Sequence, residues 1–154
     1  MKSTISIYII SIGLLMLSCD DRNTATLAPE YLYDAGNQKV IKSIINNKKG
    51  TIAMLYGNDL ALESASDSLP EPNIGARYTL VTWKQKPMPQ WYGTKMNGEI
   101  YSIEHLKVVQ RNETRFAFEY NFQTGKGDQP GNDQPDKEQR IALITSQQAA
   151  VFPY

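Results

Sequence analysis

Cysteine and histidine are almost missing from this chain of 154 residues, which contains one of each, Cys19 and His105. A single cysteine excludes an internal disulfide, so packing alone must hold the fold together. A single histidine excludes a His-rich metal centre and leaves any catalytic triad or general base to His105 alone. The sequence therefore favours a binding or interaction module over an enzyme.

The chain also has a formal net charge of zero, because 16 Lys and Arg residues balance 16 Asp and Glu residues. Proteins that bind nucleic acid present a basic patch or stripe to the phosphate backbone, and they are commonly basic overall. The balanced composition gives no such electrostatic signature. Nucleic-acid binding is therefore not expected.

Long apolar runs are confined to the N-terminus, where the stretch Ile5–Leu17 follows the basic Lys2. This stretch is shorter than the roughly 20 apolar residues that a permanent transmembrane helix needs. A positive charge, a short apolar core and the small Ser18 together are typical of a cleaved secretory signal. Residues 1–18 are therefore predicted to be a signal peptide.

The segment Met16-Leu17-Ser18-Cys19 resembles a bacterial lipobox, the motif in which the cysteine becomes the lipidated first residue of the mature chain. This resemblance implies that Cys19 carries acyl chains such as palmitate. Several chains anchor a protein stably, whereas one chain binds only reversibly. An ordinary cleaved signal that leaves Cys19 unmodified is the alternative. Asp20 and Asp21 resemble acidic sorting signals whose meaning differs between bacterial groups. The sequence is therefore compatible with an anchor in the inner membrane or in the outer membrane.

Removal of residues 1–18 leaves 136 of the 154 residues, which suits one domain with its own core. Residues 19–30 are polar and rich in small side chains, and they are predicted to form a flexible tether. Residues 31–154 are the predicted domain. These features predict a bacterial cell-envelope protein, on the periplasmic side or the cell surface, whose lipid makes the membrane its partner.

Apolar spacing predicts two helices and a strand in the first part of the domain. Isoleucine and valine residues at helical spacing predict a helix over Asn37–Lys49, which Gly50 would end. Thr51–Tyr56 is predicted to be a short strand. The turn Gly57-Asn58-Asp59 can cap a short helix that continues through Ala65.

Alternation of apolar and polar residues predicts an antiparallel sheet in the second part. Arg77–Gln85 alternates most clearly, and Arg115–Phe122 places aromatic residues on one face of another strand. The dipeptide Asn97-Gly98 predicts a tight hairpin turn between strands Trp91–Met96 and Glu99–Ile103.

The C-terminal part is predicted to contain a loop and a helix. Thr124–Asp136 has no apolar residue and is predicted to be a mobile loop. Asp136 and Gln139 have the spacing of a capping box for a terminal helix that ends before Pro153. The expected fold class is therefore α+β, a mainly antiparallel β-sheet with an N-terminal and a C-terminal helix.

Three segments resemble the cytochrome P460 family: Leu55–Asp59, Gly75–Gln85 and Ser102–Val108. The resemblance implies a cytochrome P460-like fold, mainly an antiparallel sheet with a few helices. Haem-bearing members attach a c-type haem through Cys-x-x-Cys-His near the C-terminal end, and some add a cross-link from a lysine to the porphyrin. Lys84 and Lys86 lie near the strand that would carry this lysine, and nothing in the local sequence distinguishes them. Neither attachment cysteine exists here, so covalent haem is excluded and no cofactor is expected.

His105 and a group of neighbouring residues are the candidate ligand-binding residues. His105 could hold a haem noncovalently or transfer a proton, although a structural or surface role is favoured. Trp83, Lys84, Trp91 and Tyr92 lie close in the sequence and could form a small-molecule site. Packing between strands is the favoured role for aromatic residues in such a sheet.

Together these features predict a lipid-anchored envelope protein whose P460-like domain binds a small molecule or docks on another envelope protein, without covalent haem. The alternative is a redox or gas-sensing protein that holds haem noncovalently through His105. The family resemblance is also compatible with a homodimer. The acidic residues of Thr124–Asp136 lack the spacing of a calcium-binding EF-hand, and no metal site is predicted.

Overall fold

The computed structural model describes residues 31–66, 72–88, 92–112, 115–125 and 136–150. These ranges contain β1 Lys39–Asn46, β2 Thr51–Gly57, α1 Asp59–Ser66, β3 Arg77–Pro87, β4 Lys95–Asn112, β5 Arg115–Thr124 and α2 Lys137–Thr145. The strands form one antiparallel sheet whose spatial order follows the order of the chain. The predicted α+β class is confirmed. The predicted signal peptide and tether lie outside the described residues, as does most of the predicted loop 124–136.

The two faces of the sheet are covered differently. The helix face packs against α1 and α2 and holds the main core, which includes Leu55, Leu80, Leu106 and Ile144. The opposite face, called here the open face, has a smaller cluster around Val81 and Trp83. Residues 31–35, called here the N-terminal strap, cover that cluster, and the indole nitrogen of Trp83 donates a hydrogen bond of 2.9 Å to the Tyr31 carbonyl.

The helix predicted over Asn37–Lys49 is wrong, because this segment contains strand β1, which pairs with β2. The first described α-helix is α1, so no α-helix precedes the sheet within residues 31–50. A register irregularity between Val40 and Lys42 lets Ile41 turn fully into the core. β-Branched residues favour strands, and pairing with the predicted strand Thr51–Tyr56 outweighs the helical spacing.

The hairpin turn predicted at Asn97-Gly98 is also wrong, because both residues lie inside the long strand β4. A Cβ atom on Gly98 would lie 2.9 Å from the Lys84 carbonyl oxygen, and the register shifts between Trp83 and Gln85 on the neighbouring strand. Glycine at this position therefore permits the backbones of β3 and β4 to approach each other closely beside a bulge. The chain reverses between Met88 and Thr94 instead, where the Met88 amide donates to the Thr94 carbonyl at 2.9 Å.

The helices begin where the sequence predicts. The Asn58 side chain accepts from the Ala61 amide at 3.1 Å and caps α1. Asp136 is the N-cap of α2, although its side chain accepts from Glu138 N at 3.1 Å, one residue before the predicted partner. The predicted strands at Thr51–Tyr56, Arg77–Gln85 and Arg115–Phe122 are likewise confirmed.

The chain after α2 leaves the helical conformation sooner than predicted. The helix ends at Thr145, and residues 147–150 run on without helix or strand. In this segment the Ala149 amide donates to the Ala65 carbonyl at 2.8 Å, and the Ala150 amide donates to the Ile41 carbonyl at 2.9 Å. The C-terminal segment therefore connects α1 to the edge strand β1.

Candidate functional site

A groove with a volume of about 470 Å³ lies on the open face, over β3, β4 and β5. Most of its lining side chains are polar: Gln38, Arg77, Thr79, His105, Lys107, Glu119 and Asn121. Tyr78, Leu106 and Tyr120 also border it, but Tyr78 and Leu106 belong to the core of the helix face and Tyr120 packs against that core. Polar and charged side chains therefore contribute most of the residues that line the groove, whereas the main apolar core lies on the helix face.

The strand register explains why the polar side chains meet. Arg77, Lys107 and Glu119 form one cross-strand row, and Thr79, His105 and Asn121 form the next row. Residues two apart on a strand point to the same face. Both rows therefore lie side by side on the open face, and they form the floor of the groove.

Cationic groups outnumber carboxylates in the groove. The Lys107 ammonium is 3.9 Å from a carboxylate oxygen of Glu119, with both side chains more than half exposed. An exposed pair of this kind contributes little to stability and opens easily. The Arg77 guanidinium has no hydrogen-bond or ion-pair partner among the described residues. The groove therefore offers Arg77 and Lys107 to an anionic group.

His105 sits in the centre of the groove floor and is half-buried. Its Nδ1 atom lies 3.2 Å from the hydroxyl oxygen of Thr79, which is 2 % exposed. A hydroxyl can donate or accept, so it can orient the neutral ring in either tautomer. The Thr79 contact fixes the ring and leaves Nε2 without a hydrogen-bond partner in the described ranges.

The structure separates the ligand-binding residues that the sequence suggested. Trp83 is 2 % exposed and packs in the core cluster of the open face. Lys84 is exposed on β3, and Tyr92 is fully exposed in the connection between β3 and β4. Trp91 and Cys19 lie outside the described residues. Of the predicted ligand-binding residues that are described, His105 alone lines the groove.

Sequence reasoning missed the charged residues of the groove, chiefly Arg77, Lys107 and Glu119. Each lies two positions from another groove residue on its own strand, a spacing visible in the sequence. Which strands pair, and in what register, is not visible in the same way. The alternation of residues along each strand could have assigned these side chains to one face of the sheet. It could not have shown that β3, β4 and β5 bring them together in one groove.

Charged side chains in the groove would have to be accommodated by a noncovalent haem. A porphyrin needs mainly apolar walls with a few polar groups, whereas Arg77, Lys107, Glu119 and Asn121 line this site. No three His, Cys, Asp or Glu side chains within the described ranges are placed to hold a metal ion. Neither α1 nor α2, the helices of the described part, is long and apolar enough to cross a membrane.

Comparison of the sequence with protein-family models and with curated proteins finds no match. Function is therefore inferred from the groove and from the features of the N-terminal sequence.

Proposed function

We propose that this chain is a lipid-anchored binding protein of the bacterial cell envelope, and that the groove on its open face binds a small anionic molecule. The observation that carries the proposal is the meeting of Arg77, His105 and Lys107 in one groove. Guanidinium and ammonium groups form strong charge-assisted hydrogen bonds with carboxylates and phosphates. A ligand of this class would partner Arg77, which has none among the described residues.

The location at the envelope is supported by the sequence of the first 19 residues. A basic start, a short apolar core and Ser18 before Cys19 indicate export followed by acylation. A divergent cytochrome P460-like domain is part of the same proposal. A five-stranded antiparallel sheet with two described helices is consistent with the fold which that resemblance implies.

Binding is favoured over catalysis by the surroundings of His105. A histidine base activates a nucleophile that can reach the substrate, and a third group usually orients the base. The hydroxyl next to His105 belongs to Thr79, which is 2 % exposed. This hydroxyl is almost inaccessible and is engaged with the imidazole, so its role is to orient the ring. We therefore assign His105 to ligand binding.

Calorimetric titration of the unacylated mature chain, residues 19–154, with inorganic phosphate and with succinate tests the groove. One of these anions should bind, and Arg77→Gln should weaken its affinity about 10-fold to 100-fold, the value of a hydrogen bond to a charged group. Arg111→Gln removes the same charge from β4 outside the groove and serves as the matched control. Equal weakening in both variants, or no binding of either anion, would contradict the proposal.

A noncovalent haem held by His105 is the second candidate, and the unpartnered Nε2 is the observation in its favour. The polar lining of the groove opposes it. Titration of the same chain with haem separates the two functions. A saturable Soret band that His105→Ala abolishes would establish the haem protein, whereas the anion-binding function predicts no such band.

A further inference from the structure

One end of the sheet carries a cluster of exposed lysines. The β1–β2 turn, the end of β3 and the start of β4 meet there, since Thr51 pairs with Lys84 and Pro87 pairs with Lys95. This lysine end contains Lys48, Lys49, Lys84, Lys86 and Lys95, all exposed. In residues 46–51 and 83–99 the only carboxylate is Glu99. Lys84 has a partner of its own, which leaves Lys48, Lys49, Lys86 and Lys95 against the one carboxylate of Glu99 in these segments, an excess of three positive charges.

An exposed aromatic residue accompanies these lysines. Tyr92 lies in the connection between β3 and β4, and its side chain is fully exposed. Tyrosine and tryptophan are enriched at membrane–water interfaces, and lysines are attracted to anionic lipid headgroups. The combination at this end is therefore typical of a surface that touches a lipid bilayer.

Tyr31, where the N-terminal strap begins, lies at the same end of the sheet. Tyr31 is the first described residue, and its carbonyl accepts from the indole of Trp83 at 2.9 Å. Lys86 Nζ lies 5.1 Å from the centre of the Tyr31 ring. Both partners of Tyr31 lie near the end of β3. The strap therefore begins at the lysine end, and the residues between Cys19 and Tyr31 can span at most about 40 Å.

The opposite end of the sheet differs in its charge pattern. There Lys39 forms an ion pair of 2.8 Å with Asp59, and Lys107 lies 3.9 Å from Glu119. The groove also lies nearer to this end, because Arg77 is the first residue of β3. A membrane at the lysine end would leave the groove accessible to solvent.

We propose that the lysine end docks on the anionic phospholipid surface of the membrane to which Cys19 is anchored. The strands of the sheet would then run away from the membrane plane. The orientation rests on the lipid anchor proposed above, whereas the docking contact belongs to the domain itself. The contact groups on the lipid are the headgroup phosphates. Attraction between lysines and anionic lipid is screened by salt.

Co-sedimentation of the unacylated mature chain with vesicles tests the docking contact without the anchor. We expect binding to phosphatidylcholine vesicles that contain about 30 % phosphatidylglycerol, no binding to pure phosphatidylcholine, and loss of binding at about 0.5 M salt. The variant Lys48→Gln/Lys49→Gln/Lys95→Gln should bind on the order of 100-fold more weakly, because each lysine near the surface contributes roughly fivefold. Circular dichroism checks that the variant folds.

The matched control is Arg111→Gln/Arg115→Gln/Lys137→Gln, which loses the same charge from other parts of the surface. Equal weakening in the control would overturn the proposal, since net charge would then explain the binding. Absence of binding to anionic vesicles by the unaltered chain would overturn it too. Displacement by inorganic phosphate at constant ionic strength would indicate a site for free phosphate and would also overturn it. Mass measurement of acylated Cys19 tests the anchor separately, and anion titration with Arg77→Gln tests the groove.

Discussion

Arg140 on α2 binds the buried carboxylate of Glu104 on β4 through two hydrogen bonds, from Nε to Oε2 at 2.9 Å and from Nη2 to Oε1 at 2.5 Å. Glu104 is 1 % exposed, and its Oε2 atom also accepts from the Tyr120 hydroxyl at 2.8 Å. A buried charge is tolerated when it is paired and fully hydrogen-bonded. The three side chains therefore fix α2 on the helix face of β4 and β5.

Removal of the arginine is expected to destabilise the domain strongly. Arg140→Met leaves the Glu104 carboxylate buried without its partner, and the free energy of unfolding should fall by about 3–5 kcal/mol. Glu104→Gln/Arg140→Met, which buries no charge, should recover part of this loss. Urea unfolding measures both, and Lys137→Met, an exposed change on the same helix, should have an effect below about 0.5 kcal/mol. A loss below about 1 kcal/mol for Arg140→Met would contradict the role of the pair.

Stability should fall in alkaline solution because of buried tyrosines. Burial and the hydrogen bond to Glu104 raise the pKa of Tyr120 above its ordinary value of 10.0. Burial also raises the pKa of Tyr56 and of Tyr78. The unfolded chain therefore loses these protons first as the pH rises, so their contribution is complete below about pH 10 and declines above it.

Urea unfolding between about pH 8 and pH 11 checks this dependence. Tyr120→Phe should show a shallower alkaline decline, with a slope smaller by up to about 1.4 kcal/mol per pH unit. Tyr92→Phe, which alters a fully exposed tyrosine, is the matched control and should leave the slope unchanged. Equal slopes for Tyr120→Phe and the unaltered chain would show that Tyr120 does not contribute.

Gly57 is expected to tolerate no side chain. A Cβ atom there would lie 2.6 Å from Cδ1 of Ile41 and 2.7 Å from Cβ of Ala61, so β1, β2 and α1 would have to separate. Gly57→Ala should lower the free energy of unfolding by about 1–3 kcal/mol. Ile41→Val removes the closest atom, and the double variant should therefore lose less than the sum of the two single changes.

The control for Gly57 is Gly93, where a Cβ atom would meet nothing within 4 Å but the backbone φ is +78°. Gly93→Ala should cost only about 1 kcal/mol, through backbone strain. Thermal or urea unfolding compares the variants. Strict additivity of Gly57→Ala and Ile41→Val would show that the overlap is relieved in another way.

Acylation is expected to depend entirely on Cys19. The whole chain, produced in a bacterium supplied with labelled palmitate, should incorporate the label and remain in the membrane fraction after a high-salt wash. Cys19→Ala should incorporate none, because no other thiol exists in the sequence. Ser18→Ala keeps a small residue before the cysteine and should be labelled normally. An unlabelled wild-type chain would favour an ordinary cleaved signal.

The fold was predictable where the local pattern and the final pairing agree. Arg77–Gln85 alternates with period two and lies in β3, and Asp136 is followed by a helix as its capping side chain indicates. Asn58 caps α1 for the same local reason. These features depend on a few neighbouring residues, so the sequence alone is sufficient to predict them.

The remaining features depend on distant residues. Ile41 and Ile44 satisfy helical spacing, but a bulge lets both contact the core from a strand, and only the partner β2 decides between these structures. Gly98 follows Asn97 as in a hairpin turn, yet its surroundings are set by Lys84 on another strand. The groove needs the register of three strands before Arg77 and Glu119 can be placed together.

The contacts of the last described residues have a consequence for how the domain is held together. The amides of Ala149 and Ala150 bond to Ala65 on α1 and to Ile41 on β1, the edge strand that is synthesised first. A chain that lacked these two residues would lose both hydrogen bonds, and α1 and β1 would no longer be linked through the C-terminal segment. The two hydrogen bonds therefore join parts of the chain that lie more than 80 residues apart in the sequence, and a single cut before Ala149 would release both.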